Sequence, residues 1–212
     1  MTIKNKLIII LLIPFIQIYS QWDISASMGL DFRNSPSYRD YVNSTFQSEA
    51  ASSFKSAISF SGEIDYSFSN NFQVGIELNN VIDSQTSPSG SGGLYEISFT
   101  HFKPSILSYY VIPGEGYQFK FGGGLGYRSV SFSERFFSQA DYSANGLGVV
   151  LKAIGNTALS KDFFALIGID IRYDFPGELS NNGNKILNPV TNEFVNMNSI
   201  SVAINLGVTF KL

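Results

Sequence analysis

The sequence predicts an all-β fold, an eight-stranded antiparallel up-and-down transmembrane β-barrel. Apolar residues recur at every second position in eight separate segments. The connections between those segments alternate strictly between short and long. Charged residues make up only 15% of the chain and aromatic residues another 15%, whereas an ordinary soluble domain is about 25% charged. Side chains alternate faces along a strand, so each segment builds one apolar and one polar face.

The chain opens MTIKNKLIIILLIPFIQIYSQ. Lys4 and Lys6 precede an apolar run from Leu7 to Ile18, and the small Ser20 suits a cleavage site. This is the layout of a secretory signal peptide over residues 1–20. Spanning a bilayer as a helix takes roughly 20 apolar residues, and Pro14 and Gln17 interrupt a run that is already shorter. Residues 21–212 then form the barrel domain. With no cysteine in the sequence, lipid attachment and a disulfide framework are both excluded. Beyond the signal, twelve basic side chains face seventeen acidic ones, a net charge of −5. That balance, without a basic run, offers no electrostatic footprint for nucleic acid.

The first strand reads from "WDISASMGLDF", with Trp22, Ile24, Ala26, Met28, Leu30 and Phe32 on one face. "ISFSGEIDYSF" (58–68) opposes Ile58, Phe60, Ile64, Tyr66 and Phe68 to Ser59, Ser61, Glu63, Asp65 and Ser67. "FQVGIELNNVI" (72–82), "YQFKFGGGLGY" (117–127), "LGVVLKA" (147–153), "FFALIGIDIRYDF" (163–175) and "SISVAINLGVTFKL" (199–212) repeat the pattern. The segment Leu94–Ile112 breaks parity. Tyr95, Ile97 and Phe99 occupy one face, but Phe102, Pro104, Ile106 and Tyr110 occupy the other. A β-bulge near His101 is the expected cause, since Pro104 donates nothing to a ladder.

Three connections are short: Ser69–Asn71, Pro113–Gly116 and Leu159–Asp162. The long polar ones cover Arg33–Ser53, Asp83–Gly93, Ser131–Gly146 and Pro176–Asn198. Outer-membrane barrels have this asymmetry, with short periplasmic turns and long extracellular loops. An even strand count puts both termini in the periplasm.

Two closed barrels fit such strands with opposite polarity: a secreted barrel with its apolar face inward and a membrane barrel with that face toward lipid. The polar face here is rich in Ser, Gly, Ala and Asn, too poor in charge for the outside of a soluble barrel. The apolar face is large and aromatic, with rings near strand ends where interfacial girdles sit. Small inward residues fit a narrow eight-stranded lumen.

The signal peptide, the strand and loop rhythm, and a C-terminal strand carrying Phe210 and Leu212 resemble small outer-membrane barrels of the OmpA/OmpX type. The likeness is greatest to the outer membrane protein β-barrel domain proteins of Bacteroidetes-like bacteria. The resemblance implies location in the cell outer membrane and contact with outer-membrane lipid. It also implies reading of the C-terminal strand by the barrel-assembly machinery during biogenesis, where the family usually ends in an aromatic and this chain ends in Leu212.

Parity places nine charges in the lumen: Glu63, Asp65, Glu77, Lys120, Arg128, Lys152, Asp170, Arg172 and Asp174. Buried charges persist only when paired and hydrogen-bonded, and Lys152 with Asp170 on neighbouring strands is the expected pair. A network that plugs and stiffens the barrel is the expected role, with no enzymatic activity and no cofactor. A narrow pore or transporter for small or hydrophobic solutes is the alternative. A lipid-modifying enzyme would need His101, the only histidine, with Ser98, Ser105 and Glu96, but these lack a catalytic spacing; His101 reads as a membrane-interface residue. "GGGLG" (122–126) lies within a strand with no helix following, so it relieves crowding in the lumen or allows a bend rather than cradling phosphate. No metal-ligand spacing occurs. The long loops are the expected place for an extracellular partner.

Overall fold

The computed structural model describes residues 21–46, 55–88 and 94–212; the expected signal segment at 1–20 lies outside them. Eight strands close into an antiparallel barrel. They are β1 (Trp22–Asn34), β2 (Lys55–Ser69), β3 (Phe72–Pro88), β4 (Leu94–Gly114), β5 (Tyr117–Arg135), β6 (Gln139–Ala158), β7 (Phe163–Phe175) and β10 (Ser199–Lys211). An 11-residue helix, α1 (Pro36–Phe46), follows β1, and a two-residue hairpin, β8 (Ser180–Asn181) with β9 (Asn184–Lys185), follows β7. Neighbours run β5-β4-β3-β2-β1-β10-β7-β6, and β5–β6 pairing closes the ring. The C-terminal strand lies along the first, from Asp23↔Lys211 to Asn34↔Ile200. Closure leaves no unpaired edge around the ring.

The two ends of the barrel differ. At the turn end the connections are tight; Gly116 takes φ 75° between β4 and β5, a conformation glycine adopts without a Cβ penalty. At the loop end, β3 to β6 run well past the neighbouring strands. The stretch Ser131–Gly146, expected to be a loop, is instead mostly a continuation of β5 and β6, with only residues 136–138 turning. Likewise β3 reaches Pro88 and β4 begins at Leu94, so most of the expected loop Asp83–Gly93 that is described is strand.

The expected bulge near His101 is absent. Registers β3–β4 and β4–β5 continue across it, with Phe102 opposite Asn80 and Ser129, and Ser105 opposite Glu77 and Gly126. What changes is the chemistry of the two faces. From Phe102 to Ile112 the outward side chains of β4 are mostly apolar; beyond that boundary Glu96, Ser98 and Thr100 point outward while Tyr95, Ile97 and Phe99 are buried within. Strand β5 inverts at the same height, from outward Tyr127 to outward Ser129, Ser131 and Ser133 with Val130 and Phe132 inside. A parity slip and a polarity inversion look alike in one sequence.

The inverted region needs an apolar filling, and α1 supplies part of it. Arg33–Ser53 reads as a polar loop, yet Pro36 at the first helical position and Tyr38, Tyr41 and Val42 at i, i+3 and i+4 give a helix with one apolar stripe. Arg39 N–H donates to the Ser35 carbonyl at 2.9 Å to begin it. The Tyr38 ring meets Phe99 and Phe132 edge-on, at centroid distances of 5.7 and 6.1 Å. Leu179, Ile186, Val195 and Met197 of the last connection complete this core. Ser35 Oγ donates to the Asn198 carbonyl at 2.9 Å, and Asn196 N–H donates to Ser37 Oγ at 3.0 Å, tying helix to connection. Tyr41 donates to Glu134 Oε1 at 2.8 Å.

Substitutions in this cap test its packing and the half-buried acid Glu134. Tyr38→Ala should cost about 3 kcal/mol or more in a urea titration, the usual cost of deleting a buried ring, whereas Phe137→Ala, at 84% exposure, should stay within about 0.5 kcal/mol. Burial raises the Glu134 carboxyl above its ordinary 4.5. A raised acid penalises the folded state when ionised, and the penalty is relieved as pH falls through the raised value. Glu134→Gln should therefore be the more stable protein at neutral pH, with its advantage over wild type shrinking toward pH 4.5 in urea midpoints.

Candidate functional site

Below the apolar cap the barrel interior is charged. All nine side chains singled out in the sequence, Glu63, Asp65, Glu77, Lys120, Arg128, Lys152, Asp170, Arg172 and Asp174, are buried inside. They fall into three groups between the turn end and the loop end.

Nearest the turns, the Lys120 ammonium contacts Asp23 at 2.7 Å and Asp65 at 2.8 Å. Gln73 donates to the same Asp23 carboxylate at 3.0 Å. In the middle, Glu77 accepts from Lys152 at 2.7 Å, from Arg172 at 2.8 and 3.0 Å, and from Ser61 at 2.9 Å. Lys152 also reaches Glu63 at 2.6 Å, whose other oxygen accepts from the Tyr109 hydroxyl at 2.8 Å. Toward the loops, Lys103 bridges Asp174 at 2.9 Å and Asp31 at 3.4 Å, and Arg128 pairs with Asp174.

Lys152 and Asp170 do stand opposite each other on β6 and β7, but they are not the ion pair expected. The Lys152 stem carries its ammonium across the narrow lumen to carboxylates of β2 and β3. Asp170 is taken by Arg172, two residues along its own strand, at 2.7 Å. In a lumen this narrow, long side chains choose partners across the barrel as readily as beside them.

Five further members, Asp23, Asp31, Arg33, Lys103 and Tyr109, escaped the sequence reading. Asp23, Asp31 and Arg33 lie on β1 positions that alternate correctly and could have been counted. Lys103 was lost to the supposed bulge. Arg33 stands 3.8 Å from Asp31 and lies over the Phe99 ring at 5.1 Å, where the ionic interior meets the apolar cap.

His101 is fully buried inside the barrel, not at the membrane interface, because β4 keeps its parity there. Ser105 also faces inward and accepts from Arg128 at 3.2 Å, while Ser98 and Glu96 face outward. The four residues therefore do not converge on one site. Among the described residues, no His, Cys, Asp and Glu cluster could hold a metal ion.

Glycines set how closely the interior packs. A Cβ on inward-facing Gly124 or Gly126 would strike the backbone of β4, and one on Gly148 would strike both Arg128 and Asp174. Among the ionic groups, a cavity of about 10 Å³ beside Lys152, Asp170 and Asn205 is left, the volume that one water needs.

The outer surface is the converse. Along β5, outward Tyr117, Phe119, Phe121, Leu125 and Tyr127 are all exposed. Eleven tilted residues rise about 25 Å, the height of a barrel's lipid-facing band. Rings pair around the turn end: Trp22 with Tyr66, Phe68 with Phe72, and Phe163 with Phe210. Among the described residues no helix is long and apolar enough to cross a membrane.

No family model matches the chain, and neither does any curated protein. Among solved structures it is similar to Neisserial surface protein A, at 12% identity over 90% of this chain and 97% of that one, with a TM-score of 0.56. A major outer membrane protein from Thermus thermophilus gives 13% identity, 90% and 99% coverage and a TM-score of 0.52. Ail, the attachment invasion locus protein of Yersinia pestis, solved with the heparin analogue sucrose octasulfate, gives 14%, 91% and 99%, with 0.51. At these identities the shared property is the fold of outer-membrane β-barrels.

Glu77 is the acceptor on which the middle group converges; its removal takes a shared partner from Lys152 and Arg172 and leaves each with one carboxylate, Glu63 and Asp170. Glu77→Ala should cost about 3 kcal/mol, the scale of losing hydrogen bonds between buried charged groups, measured as a lowered urea midpoint of the refolded protein. Lys185→Ala, which breaks the half-exposed pair with Glu178 at 2.6 Å, should cost under about 1 kcal/mol.

Proposed function

We propose that the chain is an integral outer-membrane protein with a structural or surface-interaction role, its lumen plugged by the ionic network. The observation that carries this reading is the pairing of an exposed apolar band outside with a cross-braced set of charges inside. A soluble protein rarely exposes a contiguous apolar patch beyond a few hundred Å², and lipid is the solvent that accepts such a band. Residues 1–20 serve as the export signal, and both termini face the periplasm, where the barrel-assembly machinery reads the strand Ser199–Leu212. The long ends of β3 to β6 and α1 then stand on the cell surface, free to meet an extracellular partner.

The closed interior favours plug over pore. A conducting lumen needs a continuous water path, and here cations and carboxylates from facing walls meet at 2.6–2.9 Å. The catalytic reading loses its support because His101 lies sealed away from Ser98 and Glu96.

Planar-bilayer recording of the refolded residues 21–212 tests the proposal, with Lys152→Ala beside it. The wild type should be silent, and Lys152→Ala should melt earlier while leaving most traces silent. Steady openings in the wild type whose ion selectivity changes in Lys152→Ala would establish a pore instead.

A further inference from the structure

Beyond the apolar band, the outward face of the extended strands carries two rows of short polar side chains. Thr100, Ser131, Ser143 and Ser180 are cross-strand partners in unbroken succession over β4, β5, β6 and β8. One row farther from the band, Ser98, Ser133 and Asp141 are direct partners in the same way. Neighbouring strands lie about 4.8 Å apart, so the rows form a regular grid of hydroxyls. The β8–β9 hairpin turns at Asn182 and Gly183, both with positive φ (48° and 87°), as a two-residue Asn-Gly turn requires. Its Asn182 closes one side of a concavity of about 440 Å³ over this grid, within the range of small-molecule sites.

The chemistry of the lining restricts what fits. Among the described residues, the hydroxyls of Thr100, Ser131, Ser143 and Ser180 have no hydrogen bond to another side chain. A hydroxyl both donates and accepts, and a grid of them complements the adjacent hydroxyls of a sugar ring. Among the described residues the one charge on the lining is Asp141, held by the Gln139 amide at 2.8 and 3.1 Å and by the Ser133 hydroxyl. Among the described residues no Lys or Arg lines the concavity, so it is not built for phosphate or sulfate. Its height is also informative. Nearer the barrel waist on the same outward face comes the row Phe102, Ser129 and Asn145, then exposed Tyr127 and Leu147, where the apolar band begins.

We propose that this concavity seats an uncharged sugar of a glycolipid headgroup in the leaflet around the barrel, with the lipid's acyl chains lying on Phe102, Tyr127 and Leu147. The inference rests on the outer-membrane reading and deepens it by naming the class of lipid. A sugar at this height is recognised by hydroxyl pairing, and the apolar band below supplies its orientation.

The test uses residues 21–212 refolded into phosphatidylcholine nanodiscs, with the uncharged glycolipid monogalactosyl diacylglycerol incorporated in increasing proportion and thermal unfolding as readout. The galactolipid should raise the melting temperature of the wild type. A Thr100→Val/Ser131→Ala/Ser143→Ala variant should melt like the wild type in plain phosphatidylcholine but need roughly tenfold more galactolipid, the loss of one or two hydrogen bonds. Identical titrations would overturn the proposal. So would an equal shift from galactosylglycerol, the same headgroup without its acyl chains, which would assign the site to a free sugar. If the chain does not enter the nanodiscs at all, the membrane reading falls and the inference with it; insertion without a variant effect overturns the inference alone.

Discussion

A charge carried into the lumen of an eight-stranded barrel has almost no water to solvate it, so it must find its counter-charge within the same ring of strands. This constraint reaches well beyond the ion pairs themselves. Glu77 on β3, Lys152 on β6 and Arg172 on β7 come from different parts of the chain, and they meet only when the sheet is closed at the right stagger. A shift of one residue in any strand would turn its charges outward and its apolar side chains to the lumen. The network therefore ties register, closure and polarity to one another. It also explains the glycines: Gly148 on β6 gives up its side chain where Arg128 and Asp174 come together.

The same ring solves the opposite problem at its loop end. There the strands β3 to β6 run past the apolar band, and the outward face becomes polar while the inward face becomes apolar. A sheet standing in water needs a hydrophobic core on one side, and α1 with the connection around Leu179 and Val195 provides it. Arg33 sits at the junction, its guanidinium between the Asp31 carboxylate and the Phe99 ring. One chain thus builds a membrane-type barrel and, continuous with it, a small soluble-type core.

Much of this was legible in the sequence. The period-2 alternation located all eight barrel strands, and the small polar residues on the second face gave the direction of the apolar side. Parity alone picked out the nine charges. The long connections were not legible, because polar outward residues over an apolar interior read as loop or as a slipped strand when a single polarity is assumed. Helix α1 was hidden for a related reason: Tyr38, Tyr41 and Val42 form too short a stripe to stand out in a polar stretch, although Pro36 and their spacing were available as signals. Partner choice within the lumen was not legible at all. Lys152 faces Asp170 across the ladder but bonds with Glu63 and Glu77, a choice set by side-chain reach across a closed ring.

Polarity inverts along single, continuous strands at the edge of the apolar band. The chain has no cysteine, so single cysteines can be placed along β5 from Tyr117 to Arg135 and labelled with nitroxides in a bilayer. Collision with oxygen reports lipid, and collision with a water-soluble nickel complex reports solvent. Oxygen access is expected at outward positions 117–127, nickel access at outward 129–135, and neither at inward 130 and 132. Oxygen access continuing at 131 and 133, or nickel access at 130 and 132, would contradict the inversion.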